Sequence, residues 1–144
     1  MRRADHLLQV LERAFNAGDF DGLDDAFTAD ALFHDPGHEM RGTSELKVGL
    51  TMLRTAFPDF RFIPDDRLVD GDKVALRYRG QGTHRGDFKG IPATGRRVSY
   101  SGILIVRYEG DRIAEFWAQP DLLSVLQQLG ATVVPPRTTT PAAA

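Results

Sequence analysis

The feature that most constrains this chain is a change of hydrophobic period near its middle. Up to Pro58 the apolar residues recur at helical spacing, and from Phe60 onward they alternate. The segment from Lys73 to His84 shows the second pattern at its clearest: Val74, Leu76 and Tyr78 alternate with Ala75, Arg77 and Arg79. A strand of that length spans ~40 Å, and a sheet built from such strands has to coil. Gly80, Gly82 and Gly86 mark where it can bend. Phe60 to Val69, Arg97 to Tyr108 and Arg112 to Ala118 read as its neighbours. Asp70-Gly71-Asp72 and Glu109-Gly110-Asp111 are the turns between them.

The first half reads as helices. Leu7, Leu8, Leu11, Ala14 and Phe15 share one face between Asp5 and Ala17, and Gly18 stops that helix. Asp19 can cap a second, shorter helix with Phe20, Leu23 and Phe27 inward. A short strand from Ala31 to Asp35 ends at Pro36-Gly37. Thr43 or Ser44 then caps a third helix, whose stripe is Leu46, Leu50, Leu53 and Phe57, and Pro58 ends it. A last helix, Leu122 to Leu129, is closed by Gly130. Helices followed by a meander, without strand–helix–strand alternation, predict an α+β fold with the helices on one sheet face. A coiled sheet wrapped around helices encloses an apolar pocket. The domain is expected to run from 1 to 134, with residues 135–144, PPRTTTPAAA, as a disordered tail.

Composition narrows the function. A chain of 144 residues suits one domain. A net charge of −2 without a basic patch argues against nucleic acid. Cysteine is absent, so disulfides and thiolate chemistry are excluded. No apolar run approaches the roughly 18 residues of a membrane span, and Glu12 and Arg13 interrupt any signal-peptide core. A cytoplasmic protein that acts on a small molecule, without membrane or nucleic-acid partner, is the expectation.

Four groups of residues could carry chemistry. Asp121 lies where the last strand meets the last helix, between Trp117 and Leu122-Leu123. Burial there would favour its protonated form and suit it to proton transfer, whereas an aspartate before a helix also serves as an N-cap. His34 and His38 have a spacing that binds metal on a helix, which Pro36-Gly37 forbids, so no metal site is expected. His84 stands where the long strand meets a loop and reads as a rim hydrogen-bonder or a solvated residue. Arg77, Arg79 and Arg107 either face water or pair with a carboxylate; Arg107 could reach Asp121 or Glu115 across the last hairpin. The stretch from Gly86 to Arg96 has no phosphate-binding arrangement and reads as a lid or a plain loop.

Several short elements occur in order: Ala56-Phe57-Pro58-Asp59, Gly82-Thr83-His84-x-Gly86, Phe88-x-Gly90-Ile91-Pro92-Ala93-Thr94-Gly95-Arg96, Glu115-x-Trp117-x3-Asp121 and Gln128-Leu129-Gly130. Together they resemble the SnoaL-like proteins, often labelled ester cyclases or polyketide cyclases, over residues 5 to 130. The resemblance implies the nuclear-transport-factor-like α+β cone and cofactor-free chemistry, in which an aldol condensation closes the last ring of an aromatic polyketide. It implies Asp121 as the acid–base residue, with His84 and Arg107 orienting or polarising the substrate. Trp117, Phe33, Tyr100 and His34 would bind that substrate. Arg107 takes the place of a family histidine; arginine cannot shuttle protons but can clamp a developing enolate. A homodimer through the outer sheet face is also implied. Two alternatives stand beside this reading: a non-catalytic ligand-binding or dimerisation module on the same cone, and a hydrolase- or hydroxylase-type relative that adds water or oxygen.

Overall fold

In the computed structural model, which describes residues 2–137, the alternating half of the chain forms one continuous antiparallel meander. Its strands are β3 (Arg61–Asp70), β4 (Lys73–Thr83), β5 (Arg97–Glu109) and β6 (Arg112–Pro120). Gly71 (φ 59°) and Gly110 (φ 60°) occupy left-handed backbone at the two tight turns, a conformation glycine adopts without a Cβ clash. The first half supplies two more strands, β1 (Phe27–Asp35) and β2 (His38–Arg41). β1 runs parallel to β6, which gives a six-stranded sheet in the order β2-β1-β6-β5-β4-β3. The sheet curves without closing into a barrel, and the helices fill its concave side.

Strand alternation sets that concave side. On β4 the buried residues are Val74, Leu76, Tyr78, Gly80 and Gly82, and on β5 they include Val98, Gly102, Leu104, Val106 and Tyr108. Helix α1 (Arg3–Leu11) continues through a π-helical turn at Glu12–Asn16 and lays Leu7, Leu11 and Ala14 on this surface. Leu7 is fully buried, and such a side chain contributes about 2 kcal/mol by leaving water. The π-turn ends at Asn16, whose amide accepts from the Phe62 N–H at 2.6 Å and donates to its carbonyl at 3.1 Å. One side chain thereby does for β3 what another strand would do.

Helix α3 (Thr43–Ala56) covers the β1–β2 side of the cone, and Phe57, Phe60 and Phe62 close its far wall. Helix α4 (Leu122–Gln128) plugs the end through Val125, and Leu129 follows it into the core. It is moored by Gln128, which accepts from the Ser99 N–H at 3.0 Å and donates to the Ser99 carbonyl at 2.8 Å. No described helix is long and apolar enough to cross a membrane.

Four local expectations change. The short helix α2 is only Leu23–Ala26, so Phe27 opens a strand. Asp19 forms a turn with the Asp21 N–H and pairs with Arg13 instead of capping that helix. Thr43 does not cap α3: its hydroxyl turns to Asp24, and Gly42 occupies the N-cap position. β1 does end at Pro36-Gly37, but that turn is a hairpin, from which the unexpected strand His38–Arg41 folds back on β1. Of the expected tail, residues 138–144 lie outside the described residues.

Candidate functional site

Between α3 and the concave sheet lies a cavity of about 740 Å³, a volume that suits a polycyclic small molecule. Its walls are mostly apolar, with Phe27, Phe33 and Phe116 from the sheet and Leu46, Leu50 and Leu53 from α3. Val48 and Met52 of α3 carry that apolar surface out to the mouth, where both are exposed. Such a rim lets a greasy ligand enter without crossing a polar barrier.

Three polar groups of the long strands border this space, Asp35, Tyr78 and Tyr100, and strand parity places them. Phe33 is buried and inward; Asp35, two residues on, points to the same side. Tyr78 of β4 and Tyr100 of β5 line the same cavity. Their rings meet edge to face with centroids 6.1 Å apart. Each ring lies across a glycine of the neighbouring strand, Tyr78 over Gly102 and Tyr100 over Gly80, which are its cross-strand partners. The glycines leave room for the phenols, and the phenols cover backbone that has no side chain of its own.

The electrostatics follow from this enclosure. Asp35 is the last residue of β1 and is exposed, and partial desolvation of its carboxyl still pushes that group up. The positive charges of Lys89 and His38 oppose that shift. Burial pushes Tyr78 up to about 12, opposed by the adjacent Tyr100 hydroxyl and helped by the Asp35 charge. Tyr100 is raised further, by burial first, then by Tyr78 and Asp35. Both phenols therefore keep their protons at neutral pH and can donate hydrogen bonds to an oxygen in the cavity. A carboxylate able to take a proton thus shares one cavity with two hydroxyls able to stabilise an oxyanion.

The residues expected from sequence divide between the two sides of the sheet. Phe33 and Tyr100 line the cavity. Asp121 does not: it is exposed, its N–H continues the β5 ladder to the Ser101 carbonyl at 3.0 Å, and its Oδ1 accepts from the Ser124 N–H at 3.1 Å. The burial expected for it is absent, and it serves as the N-cap of α4. The cause is a bulge at Ala114. Tyr108 pairs with Ile113 and Arg107 pairs with Glu115, so Ala114 is an extra residue that flips the parity of β6. Phe116, Ala118 and Pro120 consequently face the cavity, whereas Glu115, Trp117 and Asp121 do not.

Arg107 is on the convex side as well, bound to Glu109 at 3.0 Å and Glu115 at 3.5 Å, and so cannot polarise a substrate in the cavity. An inward partner on β5 would have to come from the even-numbered positions, none of which is histidine. Trp117 stacks on His34 with ring centroids 5.5 Å apart and 10° between planes, outside the cavity wall. His34 borders the cavity rim, but its ring is turned outward between Glu115 and Glu39.

His84 is neither a rim group nor solvated. It is 0% exposed, and its Nδ1 accepts from the Thr94 N–H at 3.1 Å with the Thr94 hydroxyl at 2.9 Å. With Nδ1 accepting, the ring proton sits on Nε2, which is buried without a partner. The histidine clasps the base of the 84–96 loop, whose Phe88 and Lys89 reach the cavity mouth. Asp35 and Tyr78 are the cavity groups that motif reading passes over. Strand parity from Phe33 was the available signal for the first, and the Val74–Leu76–Tyr78 stripe for the second.

Comparison with known proteins agrees with this architecture. The SnoaL-like polyketide cyclase family matches residues 5–129. The chain is 30% identical over 130 residues to the aklanonic acid methyl ester cyclase DauD of Streptomyces sp. (strain C5), covering 86% of this chain and 80% of DauD. DnrD of Streptomyces peucetius, an aklanonic acid methyl ester cyclase too, is 29% identical over 130 residues, with 86% and 88% covered. Among solved structures, TsrD from Streptomyces laurentii superposes with a TM-score of 0.82 at 31% identity, covering 90% of this chain and 96% of TsrD. IdmH from Streptomyces antibioticus gives a TM-score of 0.77 at 30% identity, with 91% and 100% covered.

Proposed function

The chain belongs to the SnoaL-like polyketide cyclase family, and on that footing we propose that it is a cofactor-independent cyclase or isomerase. Its substrate in this reading is a hydrophobic polycarbonyl compound of polyketide type, and its reaction an intramolecular aldol ring closure by general acid–base catalysis. The observation that carries the proposal is the cavity of about 740 Å³, apolar on most sides and provided with a few convergent polar groups. Such a space folds a flexible polycarbonyl chain so that its reacting carbons meet, which removes most of the entropic barrier to closure. The relatives named as aklanonic acid methyl ester cyclases support an aromatic, ester-bearing substrate of comparable size.

The test is incubation of the purified protein with aklanonic acid methyl ester, without added cofactor, followed by chromatography and mass spectrometry. Ring closure appears as a product of unchanged mass and altered retention. An unchanged substrate that nonetheless binds would favour a non-catalytic binding module.

We also infer a homodimer through the convex sheet face. Ile103 and Ile105 are exposed there beside Trp117, at 52% and 39%, an apolar patch that a second copy would cover.

A further inference from the structure

We propose that Asp35 is the acid–base residue of this chain and that Tyr78 and Tyr100 form its oxyanion site, with the enolate of an aromatic 1,3-dicarbonyl compound as the species they hold. The assignment rests on the cyclase reading above and adds the residues that would carry it. The geometry leaves few alternatives. The cavity-facing residues of β6 are Phe116, Ala118 and Pro120, and β5 offers Val98 and Tyr100. None of these but Tyr100 can move a proton or donate a hydrogen bond from its side chain.

Asp35 differs from the other cavity carboxylates by position. Glu39, Glu45 and Asp87 stand on β2, on α3 and in the loop at the mouth. Asp35 ends β1 two residues after buried Phe33, is exposed, and lines the cavity together with Tyr78 and Tyr100. Substrate seated between the walls would therefore place its acidic carbon toward Asp35 and its carbonyl oxygen toward the phenols.

The step balances without a co-reactant. The Asp35 carboxylate takes the proton from the carbon between two carbonyl groups. The C–H electron pair becomes the enolate, whose oxygen accepts a hydrogen bond from Tyr100 or Tyr78. The enolate carbon then bonds to the distant carbonyl carbon, and the C=O π pair moves to oxygen as an alkoxide. Asp35 returns its proton to that alkoxide. Nothing is oxidised or reduced.

Two measurements test the site. Fluorescence titration with 2-naphthol, a planar enolate mimic, reads the tyrosine pair without turnover. Tyr100→Phe is expected to weaken binding about tenfold, near the upper end for one hydrogen bond between neutral groups. Kinetics on aklanonic acid methyl ester read the base. Asp35→Asn, checked by circular dichroism for its fold, is expected to lower kcat by about 10² or more. The acid limb of the wild-type kcat/KM profile is expected above the usual aspartate value, as partial desolvation of Asp35, in the cavity it shares with Tyr78 and Tyr100, outweighs the opposing charges of Lys89 and His38. Equal naphthol affinity in Tyr100→Phe, or wild-type turnover in Asp35→Asn, overturns the assignment. Naphthol binding that depends on Tyr100 supports it even where wild type fails to cyclise the ester, and that failure then counts against the cyclase reading alone.

Discussion

A Cβ built on Gly80 would meet the Tyr100 hydroxyl at 2.6 Å, so the smallest residue on β4 and a phenol on β5 share one volume. The same relation holds between Gly102 and Tyr78, where the contact would be 2.7 Å. The two glycines leave the space that each phenol occupies over the neighbouring strand, with the two rings edge to face. Gly80→Ala is expected to cost about 1–3 kcal/mol as overpacking and to push Tyr100 toward the cavity. Chemical denaturation checks the stability, and 2-naphthol titration checks the displaced phenol.

The convex face carries a pH-dependent pair. His34 Nε2 stands 2.7 Å from Glu115 Oε2, and Nδ1 is 3.1 Å from Glu39. The hydrogen bond to Glu115 raises the His34 imidazole above its usual value, partial desolvation opposes it, and Glu39 adds to the rise. A folded-state value above the unfolded one stabilises while the ring is protonated in both states. The contribution is fully present below about pH 6.5 and fades as pH climbs through the folded value. The Tm difference between wild type and His34→Asn is expected to be largest near pH 6 and to shrink by about pH 9. A gap independent of pH would refute the pairing.

The loop at the mouth depends on a single buried imidazole. His84→Ala removes the acceptor for the Thr94 N–H and leaves a void, at an expected cost of about 2–4 kcal/mol. Thr94→Val loses only the hydroxyl and should cost about 1 kcal/mol. Urea midpoints of the two variants give the comparison. Weaker ligand binding should accompany His84→Ala, because Phe88 and Lys89 would lose their anchor.

Pairing of two copies across the convex face predicts a charge-sensitive assembly. Ile105→Arg places a cation in the middle of the exposed patch beside Trp117. Sedimentation should show a dimer for wild type and a monomer for the variant, with the fold retained. A monomeric wild type would dismiss the homodimer.

How far the sequence could be read depended on what each signal measures. The meander and its turns were legible because alternation is local and glycine marks the left-handed corners at 71 and 110. The cone was legible because strands so long must coil. Parity on β6 was not: the bulge at Ala114 is one residue in a run of apolar and polar side chains that fits either face. With that parity reversed, Asp121 and Trp117 would point inward, whereas Arg107, on β5, is placed there by family resemblance and not by parity. Asp35 was hidden by its neighbours, as His34 drew a metal reading and Pro36-Gly37 a turn. Parity from Phe33 was nevertheless sufficient to place it.

The most direct test of the whole account follows one proton. Dibenzoylmethane, an aryl 1,3-diketone, exchanges its central hydrogen for deuterium in D2O at a rate readable by NMR. Wild type and Asp121→Asn are expected to accelerate that exchange equally, and Asp35→Asn to lose about two orders of magnitude or more. Exchange that survives in Asp35→Asn and collapses in Asp121→Asn would contradict the account and return the chemistry to the end of the last strand.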